Sequence, residues 1–234
     1  MKRPVLSHIL TFALGLILGG LLLFLTLTRG WLPNTRVTIT TRTSASSVNT
    51  IVSDSPVPAS DAPDPPSGNE AILHRAMDVA RYLQTGDWAS LAGCVHPEKG
   101  VTFTPYSSVS DGDLCFTAEE VAAFGGDTKT YLWGSYDGSG APMNLTVAEY
   151  FPKFVTNADY TLAPYLAVDR VISSGNAVEN VADAYPDAHF VELYYSGLDP
   201  AEEGFDWCAL KLVFEPVEDG RPMLVGIIHS EWTI

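Results

Sequence analysis

The chain has 234 residues, 46% of them hydrophobic, and a formal net charge of −15. That length holds one ordinary domain besides an anchor or spacer. The acidic balance excludes the basic patches that nucleic acid or anionic lipid headgroups need, and three cysteines do not make a disulfide framework.

The first predicted element is an uncharged apolar run at 9–28, ILTFALGLILGGLLLFLTLT. As a helix it would be roughly 30 Å long, the thickness of a bilayer core. Lys2 and Arg3 precede it, and Arg29-Gly30-Trp31-Leu32-Pro33 follows. No Ala-x-Ala cleavage site lies near its end, and no Cys precedes Cys94 for lipid attachment. Residues 1–33 therefore read as an uncleaved signal anchor, with Trp31 at the membrane interface. Gly15 and Gly19 match a small-xxx-small pairing pattern, but glycine is common in membrane helices anyway. Residues 34–68 are rich in Ser, Thr and Pro and hold no large apolar cluster. Such a segment cannot build a core and reads as a disordered stalk. Arg29, Arg36 and Arg42 oppose the orienting effect of Lys2 and Arg3, so the stalk decides the expected topology. It is N-in, C-out, with the C-terminal domain extracytoplasmic.

Residues 69–234 form the expected domain, with 8 Lys and Arg against 25 Asp and Glu. Ser67 to Glu70 has capping-box spacing, and Leu73, Met77, Ala80 and Leu83 recur at helical spacing, with Ile72, Ala76 and Val79 widening the stripe. Asp87 caps a short second helix. Val101–Thr104 reads as a strand. Thr117–Glu120 is a second capping box before a helix that ends at Gly125-Gly126. Tyr131–Gly134 reads as a strand, and Asp137–Gly140 as its turn. Thr146–Glu149 caps a helix over Val147–Val155, which Pro152 should distort.

From Tyr165 the period becomes two. Val168, Arg170 and Ile172 belong to one expected strand and His189–Ser196 to the next. Over Trp207–Glu215, Cys208, Leu210, Leu212 and Phe214 share one face. Trp207, Ala209, Lys211 and Val213 share the other. Glu218-Asp219-Gly220 is a hairpin turn before a last strand, Met223–Trp232, on which His229 and Glu231 share a face with Val225 and Ile227. Helices first and an antiparallel sheet last give an α+β fold with helices on one sheet face.

The segment ARYLQTGDWASLAGCVHPEKGVTF resembles the opening of the cone-shaped α+β fold of nuclear transport factor two-like, SnoaL-like and ketosteroid-isomerase-like proteins. The segments HPEKGVTFTPYS, YLWGSYDGSG, EYFPKFV, DWCALKLVFE and LVGIIHSEWTI are similar to membrane-anchored or secreted proteins of Gram-positive bacteria. These resemblances imply a curved sheet around a pocket, an extracytoplasmic location and dimerisation through the sheet. They imply no mechanism, because the Asp base and Tyr/Asp oxyanion hole of isomerase chemistry have no counterpart that can be placed here.

No nucleophile elbow, P-loop or zinc-protease motif occurs, and no calcium-loop or Cys-x-x-Cys pattern. No metal or cofactor is expected. A Cys94–Cys115 bridge is the one pairing to consider. Weak catalytic candidates are His229, Glu231 and Glu192. Candidate ligand contacts are His96, Tyr131, Trp133, Tyr194, Trp207, Lys211 and His229. Each has a plainer role. His229 reads as a hydrogen-bonded core histidine, Lys211 with Glu192 as a cross-strand ion pair, and His96-Pro97-Glu98 as a surface turn. Most aromatics read as core, with Trp232 anchoring the last strand. The expectation is a non-enzymatic module that binds a small molecule, a cell-wall fragment or a protein partner. The alternatives are a SnoaL-like enzyme with a His/carboxylate pair, and a structural dimerisation domain.

Overall fold

A computed structural model describes residues 68–173 and 175–233. The expected anchor, the stalk and the Ser67 cap lie outside the described residues. No helix among the described residues is long and apolar enough to cross a membrane.

Helix α1 (Gly68–Thr85) buries Ile72, Ala76, Val79, Ala80 and Leu83, while Leu73 and Met77 of the expected stripe are only partly buried against the core. Asp87 accepts from Ser90 N and starts α2 (Trp88–Ala92). Strand β1 (Val101–Thr104) pairs with β2 (Leu114–Phe116). Of the three expected capping boxes, the two within the described residues are formed, Thr117 with Glu120 on α3 (Ala118–Ala123) and Thr146 with Glu149 on α4 (Val147–Phe154). A separate hairpin joins β3 (Thr130–Ser135) to β4 (Pro142–Thr146). The α4 helix runs through Pro152 because Tyr150, Phe151 and Phe154 bury on both sides of it. The β2 strand was not expected, and β4 was implied only by the hairpin turn at Asp137–Gly140. Each is short, and its pattern shows only once its partner is known.

The main sheet adds β5 (Tyr165–Val168), β6 (His189–Tyr195), β7 (Cys208–Pro216) and β8 (Pro222–Glu231). Its order is β2-β1-β8-β7-β6-β5, antiparallel except where β1 runs parallel to β8. A short helix, α5 (Val181–Ala184), lies between β5 and β6. The fold is α+β, as expected.

One sheet face carries Val191, Leu193, Cys208, Leu210, Leu212 and Ile227 into the core shared with the helices. The other carries Phe190, Val213 and Ile228 into a smaller cluster with Val181. Two expectations need correction. The strand placed at Val168–Ile172 ends at Val168, because Asp169 takes a left-handed φ of 52° and turns the chain across the second face. Its carboxylate accepts from Phe190 N at 2.9 Å and holds the turn. Val225 does not share the His229 face. A bulge opposite Val213 and Phe214 shifts the register, so Val225 packs in the smaller cluster. Cys94, Cys115 and Cys208 are all free thiols, so the Cys94–Cys115 bridge is absent.

Candidate functional site

The helix-side face of the sheet is filled rather than hollow. Phe103 meets Phe116, Phe124, Trp133, Tyr150 and Phe151 at centroid distances from 5.5 to 6.4 Å. Trp133 stacks on Tyr150 at 3.7 Å, and its Nε1–H donates to the Leu145 carbonyl at 2.9 Å. Trp133 is therefore core, not a ligand contact. Tyr131 lies further out on the same hairpin. Its hydroxyl donates to Asp127 at 2.7 Å, which with partial desolvation pushes it up to about 12. Lys129 sits over its ring.

His229 lies at the bottom of this packing and is fully buried. Its Nδ1–H donates to the Pro105 carbonyl at 3.0 Å, and its Nε2 accepts from Asn157 Nδ2 at 3.1 Å. Asn157 Oδ1 in turn accepts from the Tyr160 hydroxyl at 3.0 Å. Desolvation lowers His229 to about 4, and the Lys211 charge adds to that, against the Pro105 bond. With both ring nitrogens engaged it has no free lone pair to act as a base. Glu231 continues the His229 face at the end of β8. Burial and the Asp137 charge raise its carboxyl. Glu192 points from the opposite face, so it cannot pair with His229 across the sheet. The His229–Glu192 combination is thereby corrected.

On that opposite face, Lys211 is fully buried. Its Nζ lies 2.7 Å from Glu179, 3.3 Å from Glu192 and 2.8 Å from the Ser230 hydroxyl. Glu192 also accepts from the Ile172 and Ser173 backbone amides and the Ser173 hydroxyl. Ser107 donates to Ser230 at 2.9 Å. The segment after Asp169 thus closes over a satisfied ionic cluster. Lys211 and Glu192 form a structural pair, and Lys211 has no open side for a ligand. Sequence reading missed Glu179 because it sits in a loop whose path across the sheet has no periodic signal.

The same face carries an aromatic strip at the end where β6, β7 and β8 leave the cluster. Tyr165 pairs with Tyr194 at 5.9 Å, and Tyr194 with Trp207 at 6.1 Å. Trp207 and Trp232 are the residues just beyond the last pair of the β7–β8 ladder, Cys208–Glu231. Trp232 is not the expected anchor. It is 41% exposed and meets Phe205 edge-on at 5.5 Å. Phe205 is 60% exposed and Tyr165 51%. Phe205 stands on a built loop. Asp206 accepts from Leu198 N and Asp199 N, Asp199 accepts from Ala201 N, and Phe205 N donates to the Glu202 carbonyl. The expected contacts Tyr194 and Trp207 thus come together here, but Trp207 is buried at 7% exposure under Gly175 and supports the strip rather than facing out. Tyr165 and Phe205 were missed because one ends a short strand and the other lies in an acidic loop.

His96 belongs to a different place. Its Nδ1 accepts from Glu98 N and Lys99 N, closing the expected turn. It also lines a cleft of about 590 Å³ with Lys99, Glu215, Asp219, Arg221 and Met223. Lys99 pairs with Glu215 and Arg221 with Asp219, while Glu98 and Glu218, which also line it, are in no ion pair among the described residues. The cleft lies at the β7–β8 turn, the far end of that hairpin from His229 and the strip. Among the described residues no group of His, Cys, Asp and Glu is arranged to hold a metal.

No family model matches the chain, and no curated protein matches it in sequence. Among solved structures, a Xanthomonas campestris protein described as a calcium/calmodulin dependent protein kinase II association domain is 15% identical. The match covers 79% of this chain and 97% of that one, with a TM-score of 0.29. At that distance the fold rests on this chain's own strands.

Proposed function

We propose that this chain is a membrane-tethered binding module that docks a protein partner through the exposed rings Tyr165, Phe205 and Trp232, backed by the half-buried Tyr194 and the buried Trp207. The observation that carries this reading is the contrast between the two sheet faces. The helix-side face, where a SnoaL-like enzyme would need a pocket, is packed with rings, and its histidine is saturated. The opposite face ends in exposed aromatics held on a hydrogen-bonded loop. Exposed clustered aromatics on a rigid support are the usual centre of a protein contact. The cone-shaped SnoaL-like reading is supported by the sheet order and by the packing of the longest helix, α1, on one face. Tethering through residues 9–28, with the domain outside the cytoplasm, is supported by the apolar run and the stalk composition.

A photo-crosslinking residue placed at Phe205 or Trp232, and at exposed Leu132 on β3 as a control, tests the docking surface in cells producing the full chain. Adducts of one discrete mass at positions 205 and 232, absent at 132, support the reading. Equal labelling at all three, or none, refutes it. The location has its own test, since Cys115 is an exposed thiol. A membrane-impermeant maleimide should label it in intact cells. Labelling only after lysis would place the domain inside.

A further inference from the structure

The aromatic strip is flanked by carboxylates that no described residue neutralises. The loop 198–206 contains Asp199, Glu202, Glu203 and Asp206 and no Lys or Arg. No Lys or Arg occurs between Arg170 and Lys211, and Lys211 is buried against Glu179 and Glu192. Among the described residues none of the four acids of this loop is in an ion pair. At the other end of β7 and β8, Glu215 and Asp219 are each paired to a cation, although Glu98 and Glu218 beside them are not. One carboxylate oxygen, Asp206 Oδ1, is buried with no hydrogen-bond partner among the described residues. Buried acceptors are normally satisfied, so an orphan at the root of this loop is unusual. Rings with open faces beside unpaired carboxylates favour a cation, by the ring quadrupole and by charge.

We infer that the segment docking on this strip is a basic peptide of the partner protein, with Arg or Lys side chains over Phe205 and Trp232 and against the carboxylates of the 198–206 loop. The inference rests on the docking reading above and adds the chemistry of the occupant. Arginine suits the site better than lysine, because its planar guanidinium stacks on rings and is more weakly hydrated.

The test is titration of the full chain with a hexa-arginine peptide, followed by calorimetry and tryptophan fluorescence at low and high salt. The paired change Glu202→Gln with Glu203→Gln should weaken binding by about tenfold or more. Phe205→Ala and Trp232→Ala should each weaken it by about three- to fivefold, in the range of exposed cation–π contacts. Affinity should fall with added salt, since exposed charges are screened over about 8 Å at physiological ionic strength. The paired change Asp111→Asn with Glu119→Gln removes the same charge elsewhere and should leave binding within about twofold. If that control weakens binding as much as the loop pair, the attraction is diffuse and the inference fails. It fails too if the ring variants bind like the parent, or if the chain dimerises through the strip and Phe205→Ala abolishes the dimer. Crosslinked adducts at 205 and 232 without site-specific hexa-arginine binding would remove the cation and leave the docking surface standing.

Discussion

His229 Nε2 faces Asn157 at 3.1 Å and Nδ1 faces the Pro105 carbonyl at 3.0 Å, and the carbonyl fixes which nitrogen of the ring carries the proton. The Pro105 carbonyl can only accept, so the proton sits on Nδ1. A second proton would have to displace Asn157 in a fully buried site. The pH dependence follows. The folded histidine titrates at about 4, below the ordinary 6.5. Between those values the unfolded chain binds a proton that the folded one does not. Stability from this group is therefore fully present above pH 6.5, falls as pH drops, and levels off near pH 4. The loss should approach about 3 kcal/mol. Urea unfolding of the parent and of His229→Gln across this range checks it. The two slopes should differ by up to one proton, and identical slopes would count against a neutral buried ring.

Lys211 should be among the most sensitive polar positions. Replacing it with Met strands the Glu192 carboxylate, which is buried on the same face. Breaking a buried pair from one side costs about 3–5 kcal/mol, whereas removing both partners is far milder. Denaturant melts should show Lys211→Met strongly destabilised, with part of the loss recovered on adding Glu192→Gln. A lack of recovery would mean Glu179 is the partner that matters.

Thr146 accepts from Glu149 N and closes the box that starts α4. Thr146→Ala should lower stability by about 1 kcal/mol. For a domain of this size that is a melting shift of about 2–4 °C. Thr146→Ser, which keeps the oxygen, should shift much less.

Gly100 is the glycine least open to change. It has a φ of 71°, and a Cβ there would lie 2.6 Å from the Phe116 carbonyl oxygen. Backbone strain of that kind costs about 1–3 kcal/mol, and the steric contact adds to it because it falls on backbone of the paired strand. Gly100→Ala should melt well below the parent. Gly220→Ala is the comparison, since it has a φ of 81° in open space. It should show the strain alone.

Much of the fold was legible because its signals are local. A helix face is written in the spacing of Ile72, Ala76, Val79 and Leu83, and caps in Thr117–Glu120 and Thr146–Glu149, all within a few residues of each other. The alternation of Cys208, Leu210, Leu212 and Phe214 placed β7 and its two faces. The end of β5 at Val168 was not legible, because the left-handed Asp169 is held by Phe190, 21 residues away. The Val225 bulge is a mismatch between two strands, which neither strand shows alone.

By itself the sequence determined the α+β class, the starts of α2, α3 and α4, the sheet's alternation and the lack of a known catalytic motif, since each follows from nearest-neighbour chemistry. Only the tertiary structure decided what the candidate residues do. Packing buried Trp133 and saturated His229, the register put Glu192 and Lys211 on the face away from His229, and the loop after Asp169 brought Glu179 to them. The same register carried Tyr165, Tyr194 and Trp207 to one end of that face, beside Phe205 and Trp232. Whether a polar or aromatic side chain is core or contact depends on what lies opposite it in space, and chain order does not record that.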